Sequence, residues 1–458
     1  MLEKPDFPLT ILVNGVDGAG KGETVNLLNE WMDPRHVLTR TFGEKSEHDR
    51  AFPEMWRYWQ ALPPNGRIGI LFGSWYTQPI LDRAAGRIGR ADFELRLERI
   101  RHFERMLVGE GAVLLKLWFD LSKRAQKKRL KELSGDKETA WRVSREDWRH
   151  FERYDEFMDV SEDALRETST GEAPWHVIEG WNHEYRSLTA GKLLQGALEA
   201  RLKGRRPALA PSAPPAVPPI DGKTLLASYD YGRKLGEADY DKRLARAQSR
   251  IATLARGRKM RERSLVLVFE GMDAAGKGST IRRITHALDA RFYRVIPVAA
   301  PTDEERAQPY LWRFWRQVPA QGRATIFDRS WYGRVLVERV ERFCSEADWM
   351  RAYHEINDFE EQLAEAGAIV AKFWLAISPG EQLRRFKARE QTPHKRFKIT
   401  PEDWRNRKKW PAYERAVEDM VERTSTDTAP WHVVASDDKP FSRIEVVETL
   451  LERLEQAL

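Results

Sequence analysis

The chain has 458 residues, of which 41% are hydrophobic and 32% are charged. This composition favours a soluble globular protein over a disordered or membrane one, and the length exceeds one compact core, so we expect two or three domains. No apolar run approaches the roughly 20 residues that cross a bilayer, which excludes a membrane-spanning protein.

The location we expect is the cytoplasm, because the first residues carry no apolar signal-peptide core. A single cysteine, Cys344, excludes an internal disulfide and a cysteine metal cluster. The net charge of +7 is compatible with a polyanionic partner, although most of the charges are expected to be solvated helix faces.

The two halves of the sequence are copies at a constant offset of 256 residues, from Gly15 to Gly271. One fold is therefore predicted twice, and two copies of this length do not form a solenoid. The matched pairs are GVDGAGKGET (15–24) with GMDAAGKGST (271–280), MWRYWQALPPNGR (55–67) with LWRFWRQVPAQGR (311–323), and TSTGEAPWHV (168–177) with TSTDTAPWHV (424–433).

A proline- and alanine-rich stretch, KGRRPALAPSAPPAVPPI at 203–220, separates the copies and is typical of a semi-rigid linker. The predicted domains are therefore 1–202 and 221–458. The second copy alone has an extra segment at 221–258, in which YDKRLARAQSRIATLARGRK places apolar residues at helical spacing. This pattern predicts a basic amphipathic helix.

Five apolar runs in the second copy predict strands that are covered on both faces, and helical patterns alternate with them. A parallel sheet between two helical layers follows, a three-layer α/β/α fold. The runs are SLVLVFEG (264–271), RVIPVAA (294–300), ATIFD (324–328), AIVAKFWLAIS (368–378) and WHVVAS (431–436).

The first of these strands leads directly into a glycine-rich loop and then a helix, which is the context of a phosphate-binding P-loop, the Walker A type. Its backbone N–H groups and Lys277 are predicted to hold phosphate. A glycine follows Lys277 where the usual pattern has Ser or Thr, and Asp273 lies inside the loop, so a cation, Mg²⁺, is expected to separate that carboxylate from phosphate. The predicted phosphate-binding residues are Gly271, Ala274, Ala275, Gly276, Lys277, Gly278 and Ser279.

Three further segments complete the predicted site. In IFDRSWYGR (326–334), Asp328 ends a buried strand where it can reach a metal, and Arg329 can offer its guanidinium to phosphate. The basic stretch at 384–400 predicts either a mobile cover over phosphates or a solvated helical hairpin. PTDEERAQPYLWRFW (301–315) offers carboxylates and aromatics to a nucleotide, with core aromatics as the alternative.

These motifs identify a resemblance. The second copy resembles the polyphosphate kinase 2 family, and the whole chain resembles its fused two-domain members, through FEGMDAAGKGST, PTDEER, FDRSWYGRVLVERV, KITPEDW and APWHVVASDDK. The resemblance implies a thymidylate-kinase-like P-loop fold that transfers a phosphoryl group between polyphosphate and a nucleotide with Mg²⁺. It implies that Asp273 and Asp328 organise metal and acceptor phosphate, while Lys277, Arg329 and Arg389 hold the transferred group.

The resemblance implies inorganic polyphosphate and AMP as partners, with ADP as product, and neither nucleic acid nor a membrane; homo-oligomerisation is left open. Three alternatives also stay open at this point. ADP or GDP could be the acceptor, an ATP-dependent nucleotide kinase is conceivable, and an inert polyanion-binding protein would fit the basic charge.

The first copy departs from the motif where the chemistry is expected. At the offset of 256, Asp328, Arg329 and Arg389 correspond to Phe72, Gly73 and Leu133. Loss of a transition-state arginine alone costs roughly 10³ to 10⁵ in rate in related phosphoryl transfers. Residues 1–202 are therefore predicted to be inactive, with a structural, polyphosphate-binding or regulatory role, and 221–458 are predicted to be catalytic.

Overall fold

The computed structural model describes residues 6–204, 225–226 and 228–458. Most of the predicted linker, residues 205–220, lies outside the described residues. The preceding helix ends at Leu202, next to the predicted start of the linker.

The first copy forms a five-stranded parallel sheet of order β2-β3-β1-β4-β5. Its strands are β1 Leu9–Gly15, β2 Val37–Thr41, β3 Ile68–Phe72, β4 Val113–Asp120 and β5 Trp175–Glu179. The helices of this half of the sequence are α1 Lys21–Trp31, α2 Glu47–Arg50, α3 Trp56–Trp59, α4 Thr77–Ala84, α5 Arg90–Gly109, α6 Lys123–Gly135, α7 Arg145–Glu152, α8 Tyr154–Thr168 and α9 His183–Leu202, with 3₁₀ turns at Pro34–His36 and Ala140–Arg142.

The second copy repeats this order as β7-β8-β6-β9-β10, again with all strands parallel. Its strands are β6 Ser264–Gly271, β7 Tyr293–Pro297, β8 Ala324–Asp328, β9 Ala368–Ala376 and β10 Trp431–Ala435. The helices of this half are α10 Glu237–Ala255, α11 Lys277–Thr285, α12 Asp303–Arg306, α13 Trp312–Trp315, α14 Val337–Glu341, α15 Glu346–Glu365, α16 Pro379–Gln391, α17 Pro401–Lys408, α18 Trp410–Thr424 and α19 Lys439–Ala457, with 3₁₀ turns at Lys259–Glu262, Trp331–Arg334 and Pro393–Lys398.

The predicted three-layer α/β/α fold is confirmed. Four of the five apolar runs contain one strand of the second sheet each, and the run 294–300 overlaps β7, which begins one residue earlier at Tyr293. In β6 the successive residues from Leu265 to Phe269 expose at most 1% of their surface, so helices cover both faces of the strand. In the described part of the chain, no helix combines the length and the apolar character needed to cross a membrane.

A buried ion pair joins β9 to α15 in the second copy. Lys372 on β9 and Glu360 on α15 have side chains that are 0% and 1% exposed, and their charged atoms are 2.7 Å apart. The same carboxylate accepts hydrogen bonds from the Trp331 indole at 3.0 Å and the Tyr332 hydroxyl at 2.7 Å. Lys372 also donates to the carbonyl oxygen of Thr424 at 2.6 Å. These bonds fix the chain directly after β8.

The first copy contains the corresponding network, with similar distances. Lys116 and Glu104 are 2.7 Å apart and buried, and Glu104 accepts from Trp75 at 3.0 Å and Tyr76 at 2.7 Å. Lys116 completes its bonding at the Thr168 carbonyl, 2.7 Å away. Because both copies keep this network, it belongs to the scaffold of the fold.

The predicted basic helix of the extra segment is confirmed as α10. It packs against α19 through a face that buries Tyr240, Ala247 and Ile251. Its basic side chains form ion pairs with α19, among them Arg243 with Glu448. The helix therefore covers the last helix of the second copy.

The chain divides into two compact units, and each of them includes a short segment from the other half of the sequence. The first unit holds the described residues of 6–46, 57–204 and 301–312, and the second holds those of 47–56, 225–300 and 313–458. In the first unit, Asn65 N–H donates to the Ala307 carbonyl at 2.7 Å; in the second, Gln321 N–H donates to the Ala51 carbonyl at 3.0 Å. Each unit thus contains a segment from the other half of the sequence, and the boundaries 1–202, 203–220 and 221–458 stay a prediction.

Lys372→Met should lower the free energy of unfolding by about 3–5 kcal/mol, because it leaves the Glu360 carboxylate buried without its cation. Urea unfolding followed by circular dichroism measures this change. The control is Lys387→Met, which changes an exposed lysine on α16 and should have little effect. Equal midpoints for the two variants would contradict the role given to the buried pair.

Candidate active site

The glycine loop of the second copy joins β6 to α11 in a tight left-handed path. Gly271 has φ +145°, and a Cβ there would lie 2.6 Å from the Leu375 carbonyl oxygen, so only glycine fits. Gly276 has φ +113° immediately before the first residue of α11. Backbone N–H groups at a helix N-terminus after such a turn favour an anion, as the sequence predicts.

Asp273, within this loop, is held by groups from three other elements. Arg329 donates to one carboxylate oxygen at 3.0 Å, and Asn406 on α17 donates to the other at 2.9 Å. Gln382 on α16 donates to the Asp273 main-chain carbonyl at 3.1 Å. The loop, the end of β8 and the segments after β9 therefore meet at one point.

Arg329 occupies a backbone conformation that disfavours a side chain. It follows β8 with φ +65°, in the left-handed region that non-glycine residues rarely adopt. The corresponding first-copy residue is Gly73, with φ +73°, for which this conformation is relaxed. Strain of this kind costs about 1–3 kcal/mol and concentrates at functional sites. The second copy keeps a guanidinium here despite that cost.

Lys277, the first residue of α11, lies among groups of both signs. Its ammonium donates to the Gly271 carbonyl at 2.6 Å. Burial and the nearby Arg329 hold the pKa of Lys277 below its usual value, and the carboxylates of Asp273, Asp328 and Glu270 oppose that shift. A bound phosphate would place negative charge beside the Lys277 ammonium and would stabilise its charged form.

Glu270 is a site residue that the sequence reasoning missed. It precedes the glycine loop, is 5% exposed and accepts a hydrogen bond from Ser330 at 2.8 Å. Burial raises the pKa of Glu270, while Lys277 and Ser330 act in the opposite direction. The sequence signal for Glu270 was the presence of a carboxylate in an otherwise apolar strand.

The basic stretch 384–400 contains the end of α16 and a short 3₁₀ turn. As its sequence predicts, the helix is interrupted: α16 ends at Gln391 and the turn starts at Pro393. Arg389 is half-buried, donates to the Lys398 carbonyl at 3.1 Å, and lies within electrostatic reach of Asp273. Burial lowers the pKa of Arg389, and Asp403 and Asp273 oppose that shift.

Arg385 has a different part in the same helix. Its buried guanidinium donates to the Ala274 carbonyl at 2.9 Å and to the Ser436 carbonyl after β10 at 2.6 Å. It therefore braces the glycine loop against the neighbouring strand end. The sequence predicts a mobile cover or a solvated helical hairpin for this stretch, and neither alternative includes this bracing contact.

The structure brings together the residues that the sequence singled out. Asp328 is opposite Phe269 in the register of β6 and β8, which places it beside the loop. Arg329 donates a hydrogen bond to Asp273, and the carboxylates of Asp273 and Asp328 both favour the charged form of Arg329. The same two carboxylates favour the charged form of Lys277. Asn406 was missed, and its only sequence signal is its position two residues after the KITPEDW motif.

The donor set fits a magnesium ion. Carboxylate oxygens are the ligands that Mg²⁺ takes from proteins, and Asp273 and Asp328 supply them at adjacent positions. Asp328 makes no side-chain hydrogen bond within the described residues, whereas both Asp273 oxygens are engaged by donors. The residues present are therefore suited to hold the ion, with Asp328 ready to act as ligand.

Several aromatic residues of 301–315 belong to the core, which is the alternative to contact with a nucleotide. Trp312, Phe314 and Trp315 expose at most 7% of their surface, so they are core residues. The carboxylates of Asp303 and Glu304 lie on exposed positions of α12. Contact of this segment with a nucleotide stays a prediction.

The corresponding site of the first copy is differently charged. Lys21 donates to the Gly15 carbonyl at 2.6 Å and lies 3.4 Å from Asp17. His150, in the place of Asn406, is 2.9 Å from the other Asp17 oxygen. Burial alone would raise the pKa of Asp17, but Lys21 and His150 outweigh it and lower the pKa to about 2. The bond with Asp17 raises the pKa of His150.

A P-loop before a helix, a strand-end carboxylate and a clustered Lys and Arg on a parallel sheet define a protein of the P-loop phosphotransferase class. The sequence pattern of the family described as Polyphosphate kinase 2 matches residues 2–206 and 234–458. The chain belongs to the polyphosphate kinase 2 family.

Relatives extend over nearly the whole chain. A polyphosphate:AMP phosphotransferase of Pseudomonas aeruginosa is 54% identical over 98% of this chain and 91% of its own. One from Acinetobacter johnsonii is 38% identical over 97% and 90%. A crystal structure assigned to polyphosphate kinase 2 from Pseudomonas aeruginosa superposes with a TM-score of 0.89 at 50% identity, covering 99% of this chain and 91% of that one.

His150→Asn should destabilise the protein at acid pH only. Because Asp17 raises the pKa of His150, the stabilisation is complete below the usual pKa of 6.5 and is lost as pH rises through the folded value. Melting temperatures of wild type and variant should thus differ near pH 6 and converge near pH 9. His183→Asn, at an exposed position, is the control; a difference that grew with pH would contradict the pairing.

Proposed function

We propose that the protein transfers a phosphoryl group from inorganic polyphosphate to AMP at the second-copy site. In this reaction a P–O bond of the polyphosphate chain breaks, an AMP phosphate oxygen forms the new P–O bond, and ADP leaves with a polyphosphate one unit shorter. Full-length relatives named for this activity support the proposal. The observation that carries its location is the strained Arg329 beside Asp273.

Phosphoryl transfer requires mainly positioning and neutralisation of charge, because the transferred group carries its charge on its outer oxygens. In the proposed mechanism the loop N–H groups and Lys277 hold phosphate from one side. Arg329 places a planar, permanently charged group on the other side. Arg389, from the broken basic stretch, adds positive charge as that segment covers the site and excludes water.

The proposed cofactor is Mg²⁺, held by Asp273 and Asp328. Bound there, the ion would offset the negative charge of the phosphates and of the two carboxylates. Asn406 and Arg329 already orient Asp273, so these residues fix the position of a carboxylate whose loop would otherwise be free to turn. Glu270 adds a third carboxyl group behind the loop.

The first copy lacks the groups that this mechanism uses. Phe72 supplies no carboxylate, Gly73 no guanidinium and Leu133 no cation. Its scaffold, including the Glu104 network, is nevertheless complete. We therefore assign catalysis to the second copy within a cytoplasmic enzyme, a location consistent with a metabolite such as AMP.

Asp273→Asn and Asp328→Asn should each lower turnover of AMP with polyphosphate by at least about a hundredfold, since loss even of an outer metal contact costs 10- to 100-fold. Separation of the nucleotides after incubation with Mg²⁺ and AMP, ADP, GMP or GDP measures both rate and acceptor preference. Asp17→Asn, the matched first-copy change, should leave the rate near wild type. Full activity in EDTA would refute the metal requirement.

Polyphosphate affinity should fall steeply with salt, because lysines and arginines that bind it release counterions. The expected slope of log affinity against log salt is about −0.7 for each neutralised phosphate. Binding of a fluorescent long-chain polyphosphate at several NaCl concentrations measures this slope. An affinity that does not change with salt would show that a small ligand, held by specific contacts, is bound instead.

A further inference from the structure

The first unit contains a cavity of about 260 Å³ at the carboxyl ends of β1 and β3, which we name the first-copy pocket. It lies where the second copy places its charged cluster. Most of the wall is apolar and much of it is aromatic. The main wall residues are Phe42, Phe72, Ile80, Leu81, Trp118 and Phe157.

Several first-copy residues that differ in charge or polarity from their second-copy counterparts line this pocket. Charged or polar groups of the second copy are exchanged for apolar or neutral ones around the same loop. The exchanged pairs are Asp328 with Phe72, Arg329 with Gly73, Glu270 with Asn14, and Tyr413 with Phe157. These four positions carry no charge in the first copy, and they leave an open volume.

The charged groups that remain in the pocket are bound to one another. Lys21 and His150 both contact Asp17, so the two cations share a carboxylate that is itself part of the loop. Among the residues that line the pocket, Asp17 supplies the one carboxylate that a metal ion could use, and Lys21 and His150 already contact it. The pocket is thus adapted to a ligand without phosphate groups.

The N-terminus of α1, where a helix favours an anion, has a carboxylate side chain beside it. Glu23, in the place of Ser279, lies in the first helical turn. It forms ion pairs with Arg129, Arg142 and the buried Arg186, at 3.3, 3.1 and 2.7 Å. A negative charge at this helix N-terminus opposes phosphate, and it already engages the nearby guanidinium groups.

The scaffold keeps the pocket open. Asn14 and Ser74 hydrogen-bond each other at 3.0 Å across β1 and the end of β3, and the Glu104 network fixes the following residues. Interiors normally fill apolar space because voids lose packing contacts. Rigid apolar walls around an open volume are the property of a preformed ligand site.

A few polar groups interrupt the apolar wall. Thr41, Thr77, Gln126 and His150 also line the pocket, and they can form hydrogen bonds at the edge of a ring that stacks on the aromatic walls. The volume is below that of a drug-sized site, which limits the ligand to a small ring system. We infer that the first-copy pocket binds an uncharged purine base or nucleoside.

Calorimetric titration of the full-length protein with adenosine, in EDTA and without polyphosphate, tests this inference. We expect one saturable site per chain. Phe72→Asp should weaken binding by about tenfold or more, since it puts a carboxylate into the apolar wall. The second copy carries Asp at the matching position, so the same scaffold tolerates it. Leu81→Trp, which fills the pocket, should have the same effect.

Two controls distinguish this pocket from the proposed catalytic site. Lys277→Ala should leave adenosine affinity unchanged, and tripolyphosphate should not displace adenosine. Photolabelling with 8-azidoadenosine, followed by peptide mapping, should modify residues 72–81 or 150–157.

Several results would overturn the inference: no saturable binding up to about 1 mM adenosine, unchanged affinity in both Phe72→Asp and Leu81→Trp, displacement by tripolyphosphate, or label confined to 328–337 or 406–413. Turnover of AMP by the same preparation tests the proposed function separately. An active enzyme that does not bind adenosine would refute only the pocket.

Discussion

The buried Lys372–Glu360 pair is the constraint on which the active-site geometry depends. A lysine and a glutamate without solvent are stable only if their hydrogen bonds are satisfied, and here two of the partners are Trp331 and Tyr332. Those residues follow the strained Arg329 after a single serine, so the pair fixes the chain just beyond the end of β8. Arg329 can then hold a left-handed conformation that an unsupported loop would relax.

The same constraint explains how the two copies could diverge. Because the network of Lys116 and Glu104 supports the first copy independently of the residues around its glycine loop, those residues could lose charge without loss of the fold. Gly73 adopts without strain the left-handed conformation that is strained at Arg329, and Phe72 supplies an apolar wall where the second copy has the carboxylate of Asp328. One scaffold thus carries a cluster of charged side chains in one copy and a largely apolar pocket in the other.

Much of this organisation could be predicted from the sequence because it is local. Continuous apolar runs predicted the strands. The loop motif predicted Lys277 at the start of a helix and Asp273 in the loop before it. Asn406 could not be found in this way, because its role arises where distant segments meet. Glu270 was missed although a carboxylate in an apolar strand was a signal, and its contact with Ser330 appears only in the structure. The exchanged segments 47–56 and 301–312 were likewise not predicted, since contacts distant in sequence leave no periodic signal.

The most direct test of the division between the copies is a matched pair of lysine variants in the full-length protein. Lys277 and Lys21 begin equivalent helices and both bind the carbonyl of their loop's first glycine at 2.6 Å. Rates of ADP formation from AMP and long-chain polyphosphate should fall by about 10² or more in Lys277→Ala and stay near wild type in Lys21→Ala. Substantial activity in Lys277→Ala would mean that the first copy catalyses, which would contradict this account.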